Sequence, residues 1–252
     1  DNQSSVTLIT RPRRFGKTLN MSMTECFFSN KYANRSDLFE GLSIWQEETY
    51  QKLQGTYPVI FLSFAAVKAG NLEDAKIQIK QELARLYREN RNLMKEDIFG
   101  EDERELYYRT TVEMDDVTAQ DSLRNLSVWM ERYYGKKVII LLDEYDTPMQ
   151  EAYVQGYWDE FTSFVRSLFN ASFKTNPYLE RAIMTGITRV RYPKRVKFAE
   201  QTSNGSAKAE TMSKESIFSD LNNLKVITVT SGEYSKCFGF TEKEVFDALD
   251  EQ

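Results

Sequence analysis

The sequence predicts an α/β fold in which a doubly wound, mostly parallel five-stranded sheet is flanked by helices. Two observations support this prediction. Short apolar runs alternate with amphipathic helical patterns along most of the 252 residues, and the stretches between successive runs are long enough for crossover helices. The predicted strands are residues 6–10, 57–64, 138–142, 181–185 and 226–230. Ligands of such sheets bind at the carboxyl ends of the strands.

The first half of the chain opens with a strand, a loop and a helix. Residues 6–10 (VTLIT) are rich in β-branched side chains, and residues 19–28 follow as a helix. Residues 57–64 (YPVIFLSF) form a nearly continuous apolar run, as expected for a strand covered on both faces. A charged helix is predicted at about residues 71–92 because its apolar side chains recur every three or four residues, and Asn71 is a plausible N-cap.

The second half continues the alternation. A helix over residues 122–134 is predicted to stop at Gly135, since glycine readily adopts the left-handed conformation that ends helices. The elements predicted after it are the strand 138–142, an amphipathic helix 158–169, the strand 181–185, a short helix or turn 216–223 and the strand 226–230. The alternation of strands and helices stops at residues 191–211. This basic stretch contains Ser and Gly and is predicted to be an exposed loop.

The loop after the first strand carries the first chemical motif. Residues 11–18 read RPRRFGKT, and their last three residues match the phosphate-binding loop GxxxxGK[ST], also called Walker A. Arg11 stands where that motif has its first glycine, which restricts the backbone at the loop entrance. A charged turn before a helix is the alternative, but the strand–loop–helix setting favours phosphate binding. The candidate nucleotide-binding residues are Arg13, Arg14, Phe15, Gly16, Lys17 and Thr18.

Two carboxylates at the end of an apolar strand form the second motif, of the Walker B kind. Asp143 and Glu144 follow residues 138–142, so the first can hold Mg²⁺ together with Thr18 while the second polarises an attacking water. Taken alone, such a pair is often a solvated strand end. Because each motif ends its own strand, their joint presence predicts a P-loop NTPase fold that binds ATP and Mg²⁺.

Four candidate residues have open alternatives. Thr185 ends the next strand, where its hydroxyl either positions water beside the γ-phosphate or simply belongs to a turn at Gly186. Arg189 either supplies charge to the transition state or forms a surface salt bridge. Arg13 and Arg14 either clamp phosphates or remain solvated or paired with acidic neighbours.

Composition excludes several classes of chemistry. The chain contains no histidine and only two cysteines, Cys26 and Cys237, so Ser-His-Asp hydrolysis, Cys-His hydrolysis and zinc clusters are ruled out. No apolar run reaches the roughly 18–20 residues of a membrane span, and no signal-peptide pattern begins the chain, so a cytoplasmic protein is expected. The net charge of −5 gives no general attraction to nucleic acid, whose contact would need a local basic patch.

Three strings resemble the AAA-ATPase-like family of predicted bacterial and archaeal P-loop ATPases: RPRRFGKT at residues 11–18, LDEYD at residues 142–146, and TGITR at residues 185–189 followed by KESIFSDLNNL at residues 214–224. The resemblance implies an ATP-binding domain. It also implies that arginine is the usual residue of this family at the position of Arg11. Residues 191–211 would be an insertion relative to it. Family members often continue into a nuclease-like domain of the PD-(D/E)XK kind, for which this chain shows no motif.

We therefore expect residues 1–252 to be a single ATPase-like domain, truncated at both ends, that binds ATP–Mg²⁺ and hydrolyses it slowly. It would act as a nucleotide switch for a carboxy-terminal nuclease-like domain or a partner protein. Two other functions are consistent with the motifs: a catalytically silent nucleotide-binding or interaction module, and a P-loop phosphotransferase. The sequence carries no signal for a particular oligomeric state.

Overall fold

The sheet has five strands in the spatial order β2-β3-β4-β1-β5, and every neighbouring pair is parallel. The computed structural model describes residues 5–187, 218, 220–228 and 231. The strands are β1 (Val6–Thr10), β2 (Val59–Ser63), β3 (Val138–Asp143), β4 (Leu179–Gly186) and β5 (Leu224–Ile227). The predicted fold class is confirmed. The strand between the two motif-bearing strands β1 and β3 is β4, which follows both in sequence.

Helices fill the connections between the strands. The α-helices are α1 (Lys17–Phe28), α2 (Glu48–Gln51), α3 (Leu72–Glu89), α4 (Glu101–Arg109), α5 (Asp116–Tyr134), α6 (Thr147–Gln155) and α7 (Trp158–Phe169). Short 3₁₀ turns cover Asn30–Tyr32, Ser36–Phe39, Ser43–Gln46 and Arg91–Lys95, and one π-helical turn, Asn170–Lys174, extends α7. Among the helices of the described part of the chain, none combines the length and apolarity needed to traverse a bilayer.

The sheet is buried on both faces because alternate residues of β3 enter two different clusters. Ile140 and Leu142 pack in the larger cluster, under α3, α5 and α7. Ile139 and Leu141 pack on the opposite face with Met21 of α1. All six residues of β3 are buried, which explains why this strand reads as a continuous apolar run.

The helix ends follow local chemistry. The Asn71 side chain accepts a hydrogen bond of 2.9 Å from the Asp74 amide, and Gly135 ends α5 with a φ of 66°, so both predicted caps are confirmed. Helix α5 begins six residues earlier than predicted because the Asp115 side chain accepts from the Thr118 amide and caps it. The helix α4 was not predicted. It is mostly charged and buries only Tyr107 fully, so it lacks a clear apolar stripe.

Candidate nucleotide-binding site

The candidate site lies at the carboxyl edge of three adjacent strands, β1, β4 and β3. The register pairs Thr10 with Gly186 at the ends of β1 and β4, and Leu142 with Met184 near the ends of β3 and β4. The loop 11–16 therefore leaves the sheet beside Thr185 and Asp143. Both sequence motifs thus meet at one edge, as the parallel arrangement requires.

The loop between β1 and α1 turns through two left-handed residues. Arg14 has a φ of 67° and Gly16 a φ of 68°. Glycine accepts this conformation without a side-chain clash, whereas an arginine is strained in it. The Gly16 carbonyl accepts from both the backbone amide and the side-chain amide of Asn20, each at 2.9 Å. The turn is thereby fixed at the amino terminus of a twelve-residue helix, where backbone N–H groups favour an anion.

Lys17 folds back into the loop that precedes it. Its Nζ atom donates to the carbonyl oxygens of Arg11, at 3.1 Å, and Pro12, at 2.9 Å, and the residue is only 5% exposed. The ammonium group is therefore stabilised by backbone oxygens. A phosphate that enters the loop would replace these neutral acceptors with charged ones, which form stronger hydrogen bonds.

Arg11 does not impose the restriction expected of a side chain at the loop entrance. Its φ is not positive, because the left-handed positions of the loop are 14 and 16. The residue is 3% exposed, its Nη1 atom donates to the Thr10 carbonyl at 3.0 Å, and its amide donates to the Gly186 carbonyl at 3.1 Å. Arg11 thus ties the start of the loop to the end of β4.

Asp143 is held by two hydroxyl groups. Thr18 donates to its Oδ2 atom at 2.8 Å, and Thr185 donates to its Oδ1 atom at 2.5 Å. Asp143 is 1% exposed and Thr185 is fully buried, whereas Thr18 faces solvent. The structure therefore brings together one residue from each of α1, β3 and β4. The Thr185 hydroxyl donates its hydrogen bond to the carboxylate, so its visible role is to orient Asp143.

Glu144 begins the turn after β3 in a left-handed conformation, with a φ of 51°. This conformation is strained for a non-glycine residue and is often found at functional sites. Its half-buried carboxylate accepts from the Thr147 hydroxyl at 3.0 Å through Oε2. Thr147 lies at the start of α6, so the helix fixes the direction of this carboxylate.

The next two residues connect the acidic turn to β4. The Tyr145 amide donates to the Thr185 carbonyl at 3.1 Å, and the Asp146 Oδ2 atom accepts from the Ile187 amide at 2.9 Å. A β-carbon on Gly186 would lie 2.6 Å from the Tyr145 ring and 2.7 Å from Asp146 Oδ1, so only glycine fits there. Sequence reasoning did not single out Asp146 or Thr147. The signal that could have identified them is the run DTP at residues 146–148, which is typical of the start of a helix.

The remaining candidates are less closely tied to the site. Arg13, Arg14 and Phe15 lie on the loop with exposed side chains, Phe15 being 42% exposed. Arg189 lies outside the described residues, as do residues 191–211. Within the described residues, no group of three or more His, Cys, Asp or Glu side chains is placed to hold a metal ion.

The donor set fits Mg²⁺ bound together with a nucleotide. Thr18 and Asp143 present hydroxyl and carboxylate oxygens in direct contact, and oxygen atoms are the ligands this ion prefers. Mg²⁺ usually binds through one or two protein ligands and completes its shell with phosphate oxygens and water. The phosphate loop lies beside this pair, since Thr18 belongs to the first turn of α1.

A parallel sheet with a phosphate loop after β1 and an acidic turn after β3 defines the chain as a protein of the P-loop NTPase-like fold. Residues 1–194 match the AAA-ATPase-like family, described as predicted AAA-ATPase, and the chain belongs to this family. The string at residues 214–224 lies beyond that match. Membership supports an ATP-binding domain.

One relative is similar over most of the chain. It is the "Uncharacterized protein in vnfD 5'region" of Azotobacter chroococcum mcd 1, which is 25% identical over 239 residues. The alignment covers 94% of this chain and 36% of the relative, so the chain spans about a third of that protein's length. No solved structure matches the chain.

Proposed function

We propose that this chain binds ATP with Mg²⁺ and hydrolyses it slowly. The observation that carries the proposal is the contact of Thr18 and Thr185 with the buried Asp143 carboxylate, directly beside Lys17 in the phosphate loop. These residues come from three separate elements. Only an arrangement of strand ends in this order brings them together, and a charged surface turn would not require it.

Four side chains contribute to the proposed binding of ATP and Mg²⁺. The Lys17 ammonium neutralises phosphate charge, and the amide groups at the start of α1 bind phosphate oxygens. Thr18 and Asp143 hold Mg²⁺, and Thr185 keeps the carboxylate turned toward it. The bound ion supplies neutralisation of the phosphate charge that develops during transfer.

Glu144 is the residue proposed to orient the attacking water. Its position directly after Asp143 places a second carboxylate at the same edge of the sheet. The Thr147 hydroxyl fixes that carboxylate at 3.0 Å, so we assign Thr147 as a positioning residue for Glu144. Hydrolysis is proposed to be slow, and Arg189, the candidate for stabilising transition-state charge, lies outside the described residues.

We further propose that residues 1–252 act as one ATPase-like domain whose nucleotide state controls another module of a longer protein. The matched relative is about three times as long as the aligned part, which is consistent with such a module. Helix α6 follows the acidic turn directly. Its first residue, Thr147, contacts Glu144, and Asp146 just before it contacts the Ile187 amide after β4. A change at Glu144 therefore reaches α6 through a single side-chain contact.

Calorimetric titration of ATP, with and without Mg²⁺, tests the binding step. Lys17→Ala should abolish binding, whereas Lys52→Ala, which removes an exposed lysine far from the loop, should leave it unchanged. Glu144→Gln should keep the affinity and stop phosphate release. The proposal fails if folded wild-type protein binds no ATP, or if Glu144→Gln releases phosphate at the wild-type rate.

One observation favours a second function, a silent nucleotide-binding module. Lys17 and Glu144 both have internal hydrogen-bond partners, so neither needs a nucleotide to be satisfied. Such a module would bind ATP with Mg²⁺ but release no phosphate in a long incubation, and Glu144→Gln would then change nothing measurable.

A further inference from the structure

A second cavity lies on the helical layer, apart from the phosphate loop. It encloses about 780 Å³ between α3, α4 and the loop 110–113, and we call it the α3–α4 pocket. Its volume falls within the range of small-molecule sites, and it shares no lining residue with the site at the sheet edge. The side chains that matter most here are those of Tyr87, Arg88, Arg91, Met94, Tyr107 and Tyr108.

The floor of the α3–α4 pocket is rigid and aromatic. The Tyr107 hydroxyl donates to the Tyr87 carbonyl at 2.6 Å, and the Tyr87 hydroxyl donates to the Ser122 carbonyl at 2.8 Å. The Tyr107 and Trp129 rings lie 5.4 Å apart. Burial raises the pKa of Tyr107 to about 12, although the positive charge of Arg91 opposes this rise.

The rim of the pocket is basic. Arg88 and Arg91 are exposed, and neither forms an ion pair within the described part of the chain. Arg85 on the same helix behaves differently, since it pairs with Glu82 at 2.8 Å and Glu89 at 2.6 Å. The only acidic residue of the lining is Glu113. In a chain with a net charge of −5, this is a local excess of positive charge.

Tyr108 supplies an aromatic wall beside these arginines. Tyr108 is 67% exposed, so much of its ring is accessible to a ligand in the pocket. A planar ring can stack on the tyrosine, and a phosphate or carboxylate can accept hydrogen bonds from the two guanidinium groups.

We infer that the α3–α4 pocket binds a small aromatic anion, meaning a planar ring that carries a phosphate or a carboxylate. The ring lies against Tyr108 and the aromatic floor, and the anion pairs with Arg88 and Arg91. This site is separate from the proposed nucleotide site, and it does not depend on ATP hydrolysis.

Methyl NMR of the full chain labelled at methionine tests the inference. Met94 lines the pocket, while Met21 and Met23 lie on α1 behind the phosphate loop. A Met94→Leu variant assigns the reporter resonance. The probes are AMP and salicylate, which combine a ring with an anion, and adenosine and inorganic phosphate, which carry one feature each. Shifts at Met94 report the pocket, and shifts at the α1 methionines report the nucleotide site.

We expect AMP or salicylate to shift Met94 saturably, with adenosine and phosphate at least about tenfold weaker. The Arg88→Gln/Arg91→Gln double variant should weaken binding about tenfold, because hydrogen bonds to charged groups are the strong ones. The charge-matched Lys52→Gln/Lys137→Gln control should bind normally.

Two results overturn the inference. One is that no probe shifts Met94 at millimolar concentration in a folded protein. The other is that the control weakens binding as much as the arginine variant. Nucleotide binding seen only at Met21 and Met23 would support the proposed function while refuting the pocket. Comparison of AMP with salicylate shows whether phosphate or carboxylate is preferred.

Discussion

The contact between Thr185 and Asp143 allows a quantitative test of how the site is held together. Thr185→Val keeps the shape of the side chain but removes the hydroxyl that donates to Asp143 Oδ1 at 2.5 Å. Both residues are at most 1% exposed, so water does not replace the lost donor. A hydrogen bond to a charged group contributes about 1.5–3 kcal/mol, so the free energy of unfolding should fall by about 2 kcal/mol.

Urea denaturation measures this loss, and a double-mutant cycle assigns it to the pair. Thr185→Ser retains the hydroxyl and should lose less stability than Thr185→Val. With Asp143→Asn already present, Thr185→Val should cost only about 1 kcal/mol, the value of a neutral hydrogen bond. The same cost in both backgrounds would refute the reasoning, because the hydroxyl would then stabilise something other than the carboxylate. Calorimetry should also show weaker Mg²⁺-dependent ATP binding by Thr185→Val.

Three other substitutions test the Thr147–Glu144 contact, the close packing at Gly186 and the Glu103–Arg132 ion pair. Thr147→Val should slow phosphate release about tenfold with ATP affinity unchanged, since Glu144 loses its orienting donor, and Thr147→Ser should restore the rate. Gly186→Ala should cost about 1–3 kcal/mol of unfolding free energy in urea because its β-carbon has no room. The Arg132 hydrogen bond lowers the pKa of Glu103, so that pair stabilises the fold above the ordinary carboxyl pKa and loses this contribution as pH falls through the lowered one. After solvent screening, Glu103→Gln should cost a few tenths to about 1 kcal/mol at neutral pH and nothing in acid, by urea titration at each pH.

The parts of the site that lie at strand ends or at the start of α1 could be predicted from sequence. Asp143 and Thr185 lie at the ends of β3 and β4, Lys17 and Thr18 begin α1, and parallel strands bring their carboxyl ends to one edge. The residue types then indicated the chemistry. Thr185 contacts Asp143, the residue proposed to bind Mg²⁺, and its predicted role in positioning water beside the γ-phosphate stays a prediction.

The contacts between one turn and another could not be predicted. Asp146 matters because its carboxylate reaches the amide of Ile187, a residue of another loop, and no local spacing encodes that contact. The sequence predicts that Arg11 restricts the backbone at the loop entrance. Its amide instead donates to the end of β4, and the left-handed residues of the loop are Arg14 and Gly16. Such features depend on how two loops meet, whereas strands and helices follow from periodicity along one segment.

The order of the strands in the sheet determines which parts of it can form first during synthesis. In the sheet, Val6 of β1 pairs with Ala182 and Leu224, so both neighbours of β1 are made after β2 and β3. Contacts between residues so distant along the chain are slow to form, because a long loop must close first. The loop 11–16 is therefore synthesised well before β4 and β5, the two strands that pair with β1. Until β4 is made, Asp143 lacks the Thr185 hydroxyl that orients it, so the proposed nucleotide site is complete only when the sheet is complete.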